Sequence, residues 1–175
     1  RSSDLKFKIV IETPQRPKGQ KDVLGLALPK KKVVRIGLVG LGMRGPGAVE
    51  NFSLIPGVQV VALCDYEEKL AVKQNERLRK NGLAPAAVYY GEKGYEALCK
   101  RPDIDLVYIA TDWEHHAIVA KCALENGKNV ADEVPSAMNL QECWGLINLA
   151  EQKQLNCMIL ENCCYDWFEM RTLNM

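Results

Sequence analysis

The sequence predicts an α/β fold: a doubly wound parallel sheet preceded by an irregular N-terminal arm. Three observations carry this. From Val33 onward, short β-branched runs and amphipathic stretches take turns. The run "IDLVYIA" is apolar on both faces, as a central parallel strand is. Before Val33 the chain is punctuated by Pro14, Pro17 and Pro29 and dense in charge, and only "KFKIVIE" alternates like a strand. Residues 1–32 are therefore read as the arm and 33–175 as the folded domain.

The elements follow in order. "VVRIGLV" is a first strand, and a helix runs from about Pro46 to Leu54. "VQVVALC" is a second strand, and "YEEKLAVKQNERLRKNG" is a helix with Gly82 as its stop signal. A brief "AVYY" precedes the helix "EKGYEALCK". "IDLVYIA" leads into the helix "EHHAIVAKCALENG", which ends on a glycine, and "KNVADE" is the next strand. "LQECWGLINLAEQKQ" has helical spacing, "NCMILE" is the last strand, and a helix begins at "WFEM". Short crossovers of this kind place helices on both faces of the sheet.

Composition narrows the function classes. The chain has 175 residues, 47% hydrophobic and 26% charged, enough to bury a core without disulfides or metals. A formal net charge of +1 gives no electrostatic reason to expect nucleic acid. Lys30-Lys31-Lys32 reads as a solvated linker. No stretch is long and apolar enough to span a bilayer. The seven cysteines show neither a CxxC pair nor zinc-ligand spacing, so no metal site is expected. Their odd number and scatter fit reduced thiols in packed positions, Cys163 and Cys164 included. Trp144 and Trp167 read as packing residues.

The chemistry begins at "VRIGLVGLGMRG". Gly40-Leu41-Gly42-Met43-Arg44-Gly45 directly follows a strand and opens a helix, the context a Rossmann-type dinucleotide fingerprint requires. Gly40 permits the tight turn, Gly42 lets the backbone approach a diphosphate, and Gly45 lets helix and strand pack closely. Pro46 suits the first helical turn, whose free N–H groups and partial positive charge would face the phosphates. Asp65 ends the second strand, 20 residues after Gly45, where a carboxylate accepts hydrogen bonds from ribose hydroxyls. No arginine follows Asp65 directly to hold a 2′-phosphate, so NAD is expected over NADP. A glycine loop with a distal acid also occurs in methyltransferases that use S-adenosylmethionine, but the third glycine and its closely packed helix favour a diphosphate.

Three further stretches, "YIATDWEHH", "GKNVADEVPSA" and "LENCCYDWFEM", join the glycine loop in a resemblance that runs from about Val23 to Met175. Together they resemble the Gfo/Idh/MocA family of NAD(P)-dependent sugar oxidoreductases, most specifically its glycoside hydrolase family 109 branch, the NAD-dependent α-N-acetylgalactosaminidases. The resemblance implies NAD as a cofactor restored at each turnover. The sugar C3 hydroxyl is transiently oxidised, the C2 proton is removed, the aglycone is eliminated, water adds, and the ketone is reduced again. It further implies that Gly40, Gly42, Met43, Arg44 and Gly45 contact the cofactor with Asp65, Thr111, Trp113, His116 and Glu133. Glu133 and Tyr165 would also contact the sugar, and His116 is a candidate catalytic group. The local alternatives are ordinary ones: His116 as a helix-capping or packing histidine, Glu133 as a strand-end carboxylate, and Tyr165 as a core aromatic.

Two positions depart from the wider family. Val134 stands where it has lysine, and valine carries no proton; the glycosidase branch shares this valine. Asp112 stands where the family usually has proline, and the sequence offers no account of it. The family also implies a second α/β domain after Met175. That domain covers the sugar, supplies proton-transferring histidine and tyrosine residues, and often forms the contact of a homo-oligomer. Without it the polypeptide is expected to bind NAD and to turn over no glycoside. Sugar dehydrogenation with net redox turnover, and a non-catalytic NAD-binding module, stand as alternatives. Relatives in the branch are frequently exported, which fits a start at Arg1, whereas unpaired thiols fit a reducing cytoplasm.

Overall fold

The structure is a computed structural model, and it describes residues 16–173. Six strands form one all-parallel sheet in the order β3-β2-β1-β4-β5-β6. These are β1 (Val34–Val39), β2 (Val58–Asp65), β3 (Ala87–Tyr90), β4 (Leu106–Ile109), β5 (Asn129–Glu133) and β6 (Cys157–Leu160). The helices are α1 (Gly45–Ser53), α2 (Glu68–Lys80), α3 (Gly94–Cys99), α4 (Trp113–Glu125), α5 (Leu140–Lys153) and α6 (Trp167–Leu173), with a 3-10 turn at Asn162–Tyr165. The expected fold class is the observed one, and its elements start and stop within a few residues of those read from the sequence. The strand expected at "KFKIVIE" lies outside the described residues.

Side chains alternate across the sheet into two cores. On one face Ile36 and Leu38 of β1 meet Val49 of α1 and Ala71 and Leu78 of α2. On the other, Val39, Val107 and Ile109 meet Leu98 of α3, Ala117 of α4 and Leu146 of α5. β1 and β4 are adjacent, yet the helices that follow them leave to opposite faces. That divergence opens a crevice beyond the carboxyl ends of β1 and β4, where such sheets bind ligands. Gly37 sits at the centre of this arrangement because a Cβ there would meet Leu98 Cδ2 at 2.8 Å and Ile104 Cδ1 at 2.9 Å.

Residues 16–32 form no helix or strand, but they are fastened to the domain. Arg16 Nε donates to both carboxylate oxygens of Glu151 in α5, at 2.9 and 2.8 Å. Gln20 Nε2 reaches the same carboxylate at 2.8 Å. Glu151 is itself buried, and Arg16 beside it holds its carboxyl below the usual range. Lys31, expected as part of a solvated linker, pairs with Asp105 at 2.5 Å on the surface.

Two packing expectations fail. Trp167 is 72% exposed, with the Arg171 guanidinium 5.1 Å from its ring centroid. Cys143 and Cys164 are exposed thiols, whereas Cys64 and Cys99 are buried ones whose ionisation burial pushes up. All six described cysteines are free.

Candidate functional site

β1 ends at Val39, level with Cys64 of β2 and Ile109 of β4. The glycine loop therefore leaves the sheet between its two central neighbours, and each glycine has a distinct reason to be there. Gly40 has φ +91°, and a Cβ on it would lie 2.3 Å from the Ala110 carbonyl oxygen at the end of β4. A Cβ on Gly45 would lie 2.2 Å from the Gly40 carbonyl oxygen, so the first turn of α1 folds back directly onto the strand. Gly42 differs: a Cβ there meets no protein atom within 4 Å. Its small size answers to no neighbour among the described residues and leaves its backbone bare toward the crevice.

The hydrogen bonds of the loop say the same. Gly40 N–H donates to Cys64 O at 2.9 Å, and Leu41 N–H donates to Asp65 Oδ2 at 2.7 Å. The N–H groups of Gly42, Met43 and Arg44 have no acceptor among the described residues. Three exposed donors at the start of a helix form an anion cradle. Asp65 thus has a structural task that spacing alone did not reveal: it ties the loop to the end of β2, and its Oδ1 accepts from Glu67 N–H at 2.9 Å. Each of its oxygens keeps a lone pair for a ribose hydroxyl.

The crevice has a volume of about 710 Å³, within the ordinary range for small-molecule sites. It runs from Tyr66, Gly91 and Tyr95 beside β2 and β3, past Gly42, Met43 and Arg44, to Trp113 and Glu133 beyond β4 and β5. Of the residues expected to act, Gly40, Gly42, Met43, Arg44, Asp65, Thr111, Trp113, His116 and Glu133 all line it. The side chain of Tyr165 lies outside what the structure describes. Among the described residues no cluster of His, Cys, Asp or Glu could hold a metal ion, and no helix is long and apolar enough to cross a membrane.

The wall beyond β4 explains Asp112. It is the N-cap of α4, accepting from His115 N–H at 3.1 Å, and its carboxylate pairs with His115 Nδ1 at 2.7 Å. The His115 ring beside it holds Asp112 below the usual carboxylate range. The charge for which the sequence offered no account is thus partnered by the helix it starts. Trp113 follows it, 62% exposed, with its indole against the crevice.

His116, in contrast, is buried. Its Nδ1 lies 2.8 Å from the Glu133 carbonyl oxygen and its Nε2 lies 3.1 Å from the Thr111 carbonyl oxygen. Both ring nitrogens face backbone carbonyls, and Nδ1 also lies 3.1 Å from an Asp132 carboxylate oxygen. Glu133 sits at the end of β5 with its Oε1 accepting from the Tyr108 hydroxyl at 2.9 Å, while Oε2 faces no donor among the described residues. Tyr108 is 4% exposed, wedged edge-on against Phe52 with ring centroids 5.3 Å apart. Burial, reinforced by Glu133, pushes its phenol well above the ordinary value, so it stays a donor. Tyr108 was missed in the sequence because hydropathy counts it among the apolar residues of "IDLVYIA". The peptide bond between Val134 and Pro135 is cis, and Val134 lines the crevice.

The family of oxidoreductases with an NAD-binding Rossmann fold, Gfo/Idh/MocA, has a sequence model that matches residues 34–161. The chain belongs to the Gfo/Idh/MocA family. It is 72% identical over 170 residues to a protein of Phocaeicola vulgatus named glycosyl hydrolase family 109 protein 5. That match takes in 97% of this chain and 33% of the relative, so the chain spans about a third of the relative's length. Among solved structures, an NAD-binding protein from Listeria innocua superposes with TM-score 0.63 at 27% identity, over 78% of this chain and 37% of that one. GenD2 from gentamicin A biosynthesis, crystallised with NAD, superposes with TM-score 0.72 over 85% of this chain and 41% of its own; at 18% identity this shows the shared fold. Membership assigns the Rossmann domain, and NAD as its cofactor, to this Gfo/Idh/MocA chain. The bare amides around Gly42 fit a diphosphate.

Proposed function

We propose that the chain is the cofactor-binding part of an NAD-dependent glycosidase that works by transient oxidation of the sugar. The observation that carries this reading is the 72% identity to a family 109 glycosyl hydrolase, joined to Val134 in the strand-end motif, where a dehydrogenase of the wider family needs a lysine.

The residues divide the work as follows. The free amides of Gly42, Met43 and Arg44 and the positive end of α1 hold the diphosphate. Asp65 accepts from the adenosine ribose, and the lack of a cation directly after it leaves NAD preferred over NADP. Bound NAD supplies a reversible hydride acceptor at the sugar C3. Thr111 and Trp113 wall the crevice beside that ring. Glu133, its Oε1 fixed by Tyr108, presents Oε2 to a sugar hydroxyl or the nicotinamide ribose. Val134 puts a side chain with no titratable proton beside it, so that position moves no proton. Tyr165 is the remaining candidate for a sugar contact.

The test is aglycone release from an α-N-acetylgalactosaminide in heavy water, with catalytic NAD+, by a protein carrying this chain together with a substrate-covering domain. Release with deuterium at C2 and no net NADH is expected. Steady NADH accumulation from free sugar would instead establish a dehydrogenase. The 175-residue chain by itself is expected to bind NAD+ and to release no aglycone.

A further inference from the structure

At the crevice floor His116 and, behind it, Asp132 form a pair the proposed chemistry does not use. Asp132 is 0% exposed and His116 is 1% exposed, and a carboxylate oxygen stands 3.1 Å from His116 Nδ1. Neither oxygen of Asp132 has a hydrogen bond of good geometry among the described residues, and the nearby Ser136 hydroxyl has none either. A carboxylate so placed is severely disfavoured unless a cation compensates it.

A neutral imidazole carries one N–H and one lone pair. Here both nitrogens face carbonyl oxygens, Glu133 O at 2.8 Å and Thr111 O at 3.1 Å. A neutral ring would set its lone pair against one of those oxygens, whereas the imidazolium donates to both. Burial pulls the ionisation of His116 down, but the Asp132 carboxylate and the two carbonyls outweigh it and leave it raised. Burial raises Asp132 as well. The doubly accepting environment of the ring decides in favour of the ion pair.

We infer that Asp132 is a positioning residue: it keeps His116 doubly protonated, so that the imidazolium bridges Thr111 and Glu133 and locks together the ends of β4 and β5 that floor the crevice. Asp132 does not line the crevice and acts through the ring. The other ionisable groups around the pair are already engaged. On α4, Asp112 and His115 pair with each other at the surface. On β5, the Glu133 carboxylate is held by Tyr108. On β6, the Cys157 thiol is pushed up to about 12 by burial and then by Asp132 itself, and stays neutral.

The inference rests on the crevice being the NAD site, and its test separates the two. The chain has only two histidines, so His115 is an internal reference for His116. Imidazole nitrogen-15 spectra of the 175-residue chain at pH 8 are expected to show two protected ring N–H groups for His116. In Asp132→Asn one of them is lost and the NAD+ dissociation constant rises roughly two- to thirtyfold. A wild-type His116 with a single ring N–H at that pH overturns the inference, and this measurement stands even if Asp132→Asn fails to fold. A variant that keeps both ring protons and wild-type affinity overturns it too. If the wild-type chain takes up no NAD+, the cofactor reading falls, while the ring signals still decide the clamp.

Discussion

Gly42→Ala and Gly45→Ala add the same methyl group three residues apart and should fail in opposite ways. At Gly45 the new Cβ stands 2.2 Å from the Gly40 carbonyl oxygen, more than an ångström inside ordinary contact, which starts at 3.4 Å. The obstacle is backbone, so the loop must move. Such overpacking costs about 1–3 kcal/mol, or roughly 2–12 °C in melting temperature for a chain of this size. At Gly42 the methyl meets no protein atom, so folding should be unchanged or improved by up to about 1 kcal/mol through the stiffer unfolded chain. Its effect falls on the ligand. If the methyl denies a phosphate one amide, a charge-assisted hydrogen bond of about 1.5–3 kcal/mol is lost, which weakens NAD+ roughly 10- to 150-fold. Titration calorimetry with NAD+ and thermal melts on the same samples read both effects. A Gly42→Ala protein that melts like wild type and binds NAD+ equally well would refute the placement of a diphosphate over this loop.

Further tests address the walls. Asp112→Ala removes the α4 cap and should cost about 0.5–2 kcal/mol in thermal or denaturant melts, with Asp112→Asn close to wild type. Because His115 lowers the Asp112 ionisation, the cap's contribution is present above the ordinary value of 3.8 and is lost as pH falls through the lower folded value. Acid titration of α4 amide signals should show that loss in wild type and not in Asp112→Asn. Tyr108→Phe frees the Glu133 carboxylate and leaves it partly buried; a loss of about 0.5–1.5 kcal/mol is expected, read by denaturant titration. Gly37→Ala drives a Cβ into Leu98 and Ile104 and should destabilise the core by about 1–3 kcal/mol without a specific effect on NAD+ affinity.

What the sequence made legible was whatever depends on near neighbours. The alternation of strand and helix, the three glycines and the acid at the end of β2 are spaced by local geometry; Gly40, Gly42 and Asp65 line one crevice, and Gly45 packs against the Gly40 carbonyl. Contacts between distant segments were not legible. Asp112 had no account in the sequence because its partner, the start of α4, is an element rather than a residue type. Tyr108 was hidden within an apolar strand. Asp132 did leave a trace: it follows Val130 by two on the buried face of β5, where an acid calls for a partner, and that partner is His116 across the helix–sheet interface. Trp167 shows the opposite error, since a large aromatic was read as packing and stands in solvent.

The fastening of Arg16 and Gln20 to Glu151 changes where this domain begins. Sheet topology starts at Val34, yet the energetic unit reaches back to Arg16, because α5 carries an acid in its packed side whose neutralising charge arrives from ahead of the first strand. A fragment cut at the strand boundary would keep every strand and helix described above and still expose a counterion-less anion beneath its last crossover. Excision for a fusion protein or a domain swap should therefore follow electroneutrality rather than secondary structure.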